Sequence, residues 1–342
     1  MNGFRFCSTI VLSATALGCA QLDKTNRGDP VIPPTDFEIH AGKPVADDPR
    51  EVHLRNLRQL TFGGENAEAY WSFDGTRLVM QSRQSMTDGD QIYTVDLATG
   101  ETRRISPGVA RTTCAYFLQG DDEIIFASTH GSGPQVPHVK RGKDGYVWGI
   151  FSDYDIWVAD LEGKHLRRLT DTPGYDAEAT VCPVTGRVVF TSVRDGDLEL
   201  YSMEPDGSDV KRLTNRLGYD GGAFYSHDGS KIVQRSGFPE TQEEIDEYQS
   251  LLRRGLVRPS RMEITVIDRD GSNFHQVTNN GKANFAPYWH PDNHRILFSS
   301  NMDSESGRNF DIYMVNEDGS GLERITYSDV FDGFPMFSPN GK

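Results

Sequence analysis

The sequence is short of cysteine, of basic residues and of long apolar runs. Only four cysteines occur in 342 residues, too few for a disulfide scaffold, and two of them fall within the first twenty positions. With 35 Lys+Arg against 50 Asp+Glu the formal charge is −15, the wrong sign for gripping nucleic-acid phosphates, so nucleic acid is not expected as a partner. No apolar run is long enough to cross a bilayer as a helix. A G-x-S-x-G elbow, an H-E-x-x-H pair and a phosphate-binding glycine loop are all missing, so no catalytic residue, no metal and no cofactor is assigned. Glycine (34), proline (17) and tyrosine (13) are plentiful instead, a composition of many tight turns joined by short strands.

The N-terminus predicts export. Residues 1–18 carry one basic side chain, Arg5, then an apolar run to Leu17 and small residues, the layout of a cleaved secretory signal. Ala16-Leu17-Gly18-Cys19 is similar to the lipobox of bacterial lipoproteins, in which the cysteine is lipidated. Lipidation at Cys19 would hold the chain at a membrane surface by lipid alone, in the periplasm and on the outer membrane. The alternative is plain cleavage near Ala16 to a soluble periplasmic protein. Residues 19–50 are proline-rich and aperiodic, which reads as a flexible tether. Cys114 and Cys182 fall four positions apart in the repeat register below, an offset of about 13 Å along a strand. Free, buried thiols are expected.

An internal repeat decides the fold. LRQLT ending at Thr61 recurs as TRRIS at Ser106, LRRLT at Thr170, VKRLT at Thr214, FHQVT at Thr278 and LERIT at Thr326, with spacings of 45, 64, 44, 64 and 48 residues. The two long spacings are the short one plus about twenty residues, as insertions into a fixed unit would give. Each unit then holds an aromatic strand and turn such as AYWSFDGTR from Ala69 or AFYSHDGSK from Ala223. A buried strand ending in serine follows, and then an alternating strand such as DIWVAD from Asp155 or DIYMVN from Asp311. Four short antiparallel strands per unit, with no helical crossover, predict an all-β propeller of four-stranded blades over residues 51–342. Six LT strands and six aromatic strands occur, but only five copies of the two between. The count predicts six blades, with the last one incomplete in this chain and seven not excluded.

The pattern of RLT, then F-S-P-D-G, then F-x-S, then D-I-Y-x-x-D resembles the WD40-like PD40 repeat of the TolB-like periplasmic β-propellers, over roughly Leu54 to Lys342. The resemblance implies a six-bladed propeller that binds other envelope proteins and has no catalysis of its own; a monomer with envelope proteins or peptides as partners is expected. An α/β domain precedes the propeller in TolB itself, whereas only the short span 19–50 stands there in this sequence. Similar repeats also form the propellers of prolyl-oligopeptidase-type peptidases and of an oligogalacturonate lyase. The competing readings are therefore a peptidase propeller whose catalytic domain lies elsewhere, and a polysaccharide-binding or lyase propeller.

Both long insertions, 129–153 and 237–262, fall between the second and third strands of their units and so emerge on one face. Their candidate partner-binding residues are His138, Lys140, Arg141, Tyr146 and Trp148 in the first, and Tyr248 and Arg253 in the second. Residues 240–254 read as a short helix, acids first and arginines last. On the same face, one polar residue per blade, Asn66, Thr112, Asp176, Asp220, Asn284 and Asp332, forms a candidate ring at the channel mouth. That ring could take a cation or the amines of a peptide; the alternative is that each side chain caps its own turn. The recurrent serines that end the second strands, and the acids of Asp155, Glu199, Glu263 and Asp311, read as structural hydrogen bonding inside each blade. His130 and His138 in the first insertion, together with Asp153, are a metal candidate, set against the rarity with which flexible loops preorganise a site. His227 and His290, in turns on the opposite face, are expected in solvent.

Overall fold

A computed structural model of the chain describes residues 39–85, 88–139 and 144–341. The signal region 1–18, Cys19, Lys140 and Arg141 lie outside the described residues. Five four-stranded antiparallel sheets follow one another along the chain, each with its strands in sequence order from the inner edge to the outer. Blade 1 runs Glu65–Trp71, Arg77–Arg83, Gln91–Asp96 and Thr102–Arg104, and blade 2 runs Thr112–Phe117, Glu123–Ser128, Asp155–Asp160 and Arg167–Arg168. Blades 3, 4 and 5 begin at Asp176–Val181, Asp220–Tyr225 and Asn284–Trp289. Five complete blades are present among the described residues, not six. The expected sixth is represented by the two-stranded pairing of Lys43–Pro44 with Arg58–Gln59 and by the segment around Phe334. Residues 43 and 44, placed in the tether by composition, therefore run along the propeller.

The recurrent LT motif has a local cause. The hydroxyls of Thr170, Thr214, Thr278 and Thr326 accept from the backbone N–H of Ile156, Leu200, Ile264 and Ile312 at 2.8–2.9 Å, and Ser106 does the same for Ile92 at 2.9 Å. They fill the ladder position left open where the very short fourth strand ends. The third-strand acids complete the knot. Thr214 and Thr278 donate to Glu199 and Glu263 at 2.5 and 2.6 Å, while Arg168, Arg212 and Arg324 reach Asp155, Glu199 and Asp311 at 2.6–2.9 Å. The repeated polar residues are thus internal to the blades, as their periodicity predicts.

Aromatic residues on the first strands meet at the centre of the ring. Tyr70 of blade 1 touches Phe224 of blade 4 with ring centroids 5.4 Å apart, and Tyr116 and Tyr288 pack onto the pair at 5.3–6.2 Å. Rings from blades three sectors apart touch only where the blades converge, so these four side chains plug the axis. Neighbouring blades are also stitched by polar contacts. Asp121 of blade 2 accepts from the Phe73 and Asp74 N–H groups at 2.8 Å, and Thr180 of blade 3 donates to the Ala223 carbonyl at 2.6 Å. The ends of the described chain meet. The Tyr327 N–H donates to Glu51 at 3.0 Å, and the Trp71 N–H lies 3.3 Å from the Met336 sulfur.

His227 and His290 are not in solvent. His227 lies 3.1 Å from the Trp289 carbonyl and edge-on to Tyr288, and His290 lies edge-on to Phe337 with ring centroids 4.7 Å apart. Their turns face the next sector rather than water, and burial pushes both imidazoles below their ordinary pKa. Cys114 and Cys182 are free thiols. Cys182 is buried, whereas Cys114 is half-buried because it faces the central cavity.

Candidate functional site: a capped pocket on the propeller axis

Each complete blade carries one irregularity, and it recurs at the same place. The pairing of the first strand with the second slips between Ala67 and Tyr70, Thr113 and Tyr116, Ala177 and Thr180, Gly221 and Phe224, and Phe285 and Tyr288. In every slip the residue two places after the ring position adopts a left-handed backbone. These are Glu68 (φ 53°), Cys114 (53°), Glu178 (60°), Gly222 (58°) and Ala286 (50°), and Phe334 (57°) matches them in the sixth sector. A bulge re-aims a side chain and often sits where a sheet serves a site. All six residues line a single cavity of about 580 Å³ on the axis, a volume suited to a small organic ligand.

The plug forms the inner end of this pocket through Tyr70 and Phe224, and the first insertion covers the outer end with Tyr146, Trp148 and Phe151. The cover is built jointly by both insertions. Trp148–Gly149 pairs antiparallel with Leu256–Val257, the Ile150 N–H donates to the Gly255 carbonyl at 2.8 Å, and Arg254 bridges to Asp144 at 2.6 Å. The expected helix is present at Gln242–Leu252, started by a capping box between Thr241 and Glu244. Tyr248, on that helix, donates from its hydroxyl to Asp197 of blade 3 and so anchors the second insertion. Tyr146 is 74% exposed at the rim and accepts from the Trp148 indole N–H at 3.1 Å. His138 and Arg253 are exposed and border a second hollow between the two insertions.

Inside the pocket the dominant polar feature is Glu178 with Arg235. Glu178 accepts from Thr191 and Tyr219 at 2.8 Å, from the Gly222 N–H at 3.0 Å, and from the Arg235 guanidinium. Burial opposes ionisation of Glu178, but Arg235 and these donors outweigh it and hold the carboxyl below its ordinary pKa. Arg235 itself is 7% exposed along its side chain. It donates to the Tyr219 hydroxyl at 2.5 Å and lies over the Tyr219 and Trp148 rings at 4.7 and 5.5 Å. The glycines of blade 4 make room for it. A Cβ on Gly222 would stand 1.8 Å from Arg235 Nη1, and one on Gly221 would stand 2.5 Å from Glu178 Oε2. Two further guanidiniums are engaged at the wall, Arg83 by Glu65, and Arg111 by Asp90 at 3.9 Å.

Glu68 is different. Desolvation pushes its carboxyl up to about 7, and the side chain that hydrogen-bonds it is the Cys114 thiol. Burial, with Glu68 and Glu178 nearby, likewise raises the thiol of Cys114 well above its ordinary value.

The polar ring read from the sequence is placed one step away from this chemistry. Asn66 donates to the Gly63 carbonyl at 2.9 Å, Thr112 to the Asp90 carbonyl at 2.8 Å, and Asn284 to the Met262 carbonyl at 2.8 Å. Asp176 is bridged by Arg194 at 3.1 Å, Asp220 accepts from Ser236 at 2.5 Å, and Asp332 from Ser328 at 2.8 Å. Asn66 and Asp332 border the pocket; the other four serve hydrogen bonds within and between their own blades. His130 packs against Trp157, tilted by 46° with ring centroids 4.1 Å apart, and contacts Ser128 at 2.8 Å. Among the described residues no group of three or more His, Cys, Asp or Glu side chains is arranged to hold a metal ion.

The blades and the axial pocket define a β-propeller of four-stranded blades. No protein-family model and no curated protein matches the chain. Among solved structures it is similar to TolB from Acinetobacter baumannii, with 18% identity over 79% of this chain and 56% of that one, and a TM-score of 0.57. A putative TolB from Agrobacterium tumefaciens is 19% identical over 83% of this chain and 90% of that one, at 0.59. An oligogalacturonate lyase in complex with manganese is 17% identical over 84% and 74%, at 0.51. At these identities the likeness shows the fold, a TolB-like propeller. The chain spans little more than half the length of the Acinetobacter protein.

Proposed function

We propose that this chain is a non-catalytic propeller of the bacterial cell envelope, periplasmic and held to the outer membrane by lipid on Cys19, that binds partner proteins through the face carrying the two insertions. The observation that carries the reading is the joint cover. Insertions from blades 2 and 4, separated in sequence by a whole blade, pair strand to strand above the axis and present Tyr146 at 74% exposure. Two insertions fastened into one rigid patch on a propeller face form a preorganised surface, which binds without the cost of ordering loops. The likeness to TolB structures and the signal-like N-terminus support the envelope setting. Among the described residues no helix is long and apolar enough to cross a membrane.

The ring is completed by a sixth blade, for which the left-handed Phe334 and the outer strand Arg58–Gln59 are the supporting observations. The competing reading, a polysaccharide-binding or lyase propeller, is favoured by the pocket itself.

A photo-crosslinker at Tyr146 in living cells tests the binding face, with the same group at Val184, in a turn at the opposite end, as control. A discrete envelope-protein adduct from Tyr146 alone supports the reading; adducts of equal yield from both positions, or from neither, count against it. The intact mass of the native mature protein tests the anchor, since acylated Cys19 adds a lipid increment that plain cleavage does not.

A further inference from the structure

The pocket walls carry five carboxyl groups and three guanidiniums. Arg83 pairs with Glu65, Arg111 with Asp90, and Arg235 with Glu178. Each guanidinium of the pocket thus stands within 4 Å of a carboxylate, whereas among the described residues Glu68 and Asp332 form no ion pair. Asp332 is answered by a neutral hydroxyl, Ser328. Glu68 stands on a left-handed bulge, half-buried and facing the cavity, with a thiol as its hydrogen-bonding neighbour. A desolvated carboxyl with no ion-pair partner of its own is costly to ionise, and one held at a strained backbone position beside a cavity marks a place where a ligand supplies the missing charge.

The remaining wall is aromatic. Phe285 packs with Trp148, Phe334 and Phe310 at centroid distances of 6.3, 5.9 and 4.8 Å, while Tyr154 and Tyr175 face the cavity from blades 2 and 3. An ammonium group is stabilised both by a carboxylate and by the faces of such rings.

We infer that the axial pocket is a binding site for a small organic cation, an amine bearing an aromatic or apolar body, with Glu68 as the counter-ion and the rings around Trp148 and Phe285 as the seat of the body. An anion is disfavoured because the carboxyls of the wall outnumber its guanidiniums and a carboxylate stands beside each guanidinium, and a bare metal ion because Glu68 has no second and third ligand arranged beside it. The inference is independent of the partner reading, since it concerns the inside of the pocket rather than the outer surface of its cover.

Proton linkage gives the site a signature. The groups facing Glu68 are Cys114, Glu178, Arg235 and Asp90. In the free protein desolvation keeps Glu68 protonated up to about pH 7, so an ammonium ligand must displace that proton, and its affinity rises as pH climbs through this range.

The test is calorimetric titration of the mature chain with 2-phenylethylamine, using phenylacetate and 2-phenylethanol as anionic and neutral analogues of similar size. The amine is expected to bind at least about tenfold more tightly than either analogue and to weaken several-fold from about pH 7.5 to about pH 5.5, with proton release. Glu68→Gln should lose about tenfold in amine affinity and flatten the pH dependence to the part that Asp332, in the same wall, still supplies, whereas Glu162→Gln at the surface should change neither. Absence of amine binding at millimolar concentration, or equal or tighter binding of phenylacetate or phenylethanol, overturns the inference. That comparison within the unmodified protein stands even if Glu68→Gln does not fold. Loss of the Tyr146 crosslink with amine binding intact would sink only the partner reading.

Discussion

Blades 1 to 3 and the sectors from blade 4 onward use the same backbone device at the same place and hang opposite chemistry on it. The bulge residues of the first half are Glu68, Cys114 and Glu178, and those of the second are Gly222, Ala286 and Phe334. One half of the pocket wall is therefore polar and titratable, while the other is open or aromatic. The scaffold sets where a side chain points. Which chemistry points there is decided residue by residue, and the one long polar side chain of the second half, Arg235, crosses to the first only because glycine stands beneath it.

The comparison breaks most readily at Arg235. Arg235→Ala leaves Glu178 ionised and buried without its counter-ion, and is expected to cost about 3–5 kcal/mol in urea unfolding. Gly222→Ala comes next, at about 2–3 kcal/mol, because it places a methyl group where Nη1 lies, at a backbone position that disfavours side chains. A loss under about 0.5 kcal/mol would show that Arg235 is free to move aside.

Glu68→Gln sharpens the contrast through pH. The folded-state pKa of Glu68, about 7, lies above its ordinary value, so the folded state binds more protons between about pH 5 and 7. Its contribution is present at the acidic end and is lost as pH rises through 7. The unmodified protein should therefore lose about 2 kcal/mol across this window from Glu68 alone, and the variant should show a correspondingly flatter profile. Asp220 and Asp332, which burial pushes up to about 7 and about 6, add slope of the same sign that the substitution leaves in place. Phe285→Leu, in the apolar half, is the smallest case. A loss of about 1 kcal/mol with an unchanged pH profile is expected, because only ring volume is removed.

Much of this fold is legible in the residues themselves, for a physical reason. The Thr or Ser that ends each complete blade answers the same backbone N–H, and the residue opening the third strand answers that hydroxyl in blades 1, 3 and 4 and a neighbouring arginine in blades 2 and 5, so both recur and the blade period stands out. The polar series from Asn66 to Asp332 recurs on the same ground: those side chains satisfy strand ends and turns that every blade possesses. The pocket is legible only indirectly. Its bulge positions read Glu, Cys, Glu, Gly, Ala and Phe, a series with no common chemistry, because each faces a different part of an asymmetric cavity. A search for repeated residue types passes over such a column. The variable position two places after a repeated polar one is the signal that was available. The joining of the two insertions is likewise invisible in sequence, since Trp148 and Leu256 announce no partner until the blades bring them together. Five complete sheets form because only five copies of the two middle strands occur, and a complete sheet needs all four.

The strap between the insertions changes how the ring bears load. In a plain propeller each sheet leans only on the sheets before and after it, so a disturbance passes from neighbour to neighbour. Here the pairing of Trp148–Gly149 with Leu256–Val257 spans from blade 2 to blade 4 over the top of blade 3. Blade 3 is thereby enclosed like a stave under a hoop, and peeling it outward requires the hoop to part first. Amides of blade 3 should then exchange with solvent no faster than those of the strap, which makes blades 2 to 4 a single mechanical piece and leaves the unstrapped arc on the other side as the place where the circle gives way.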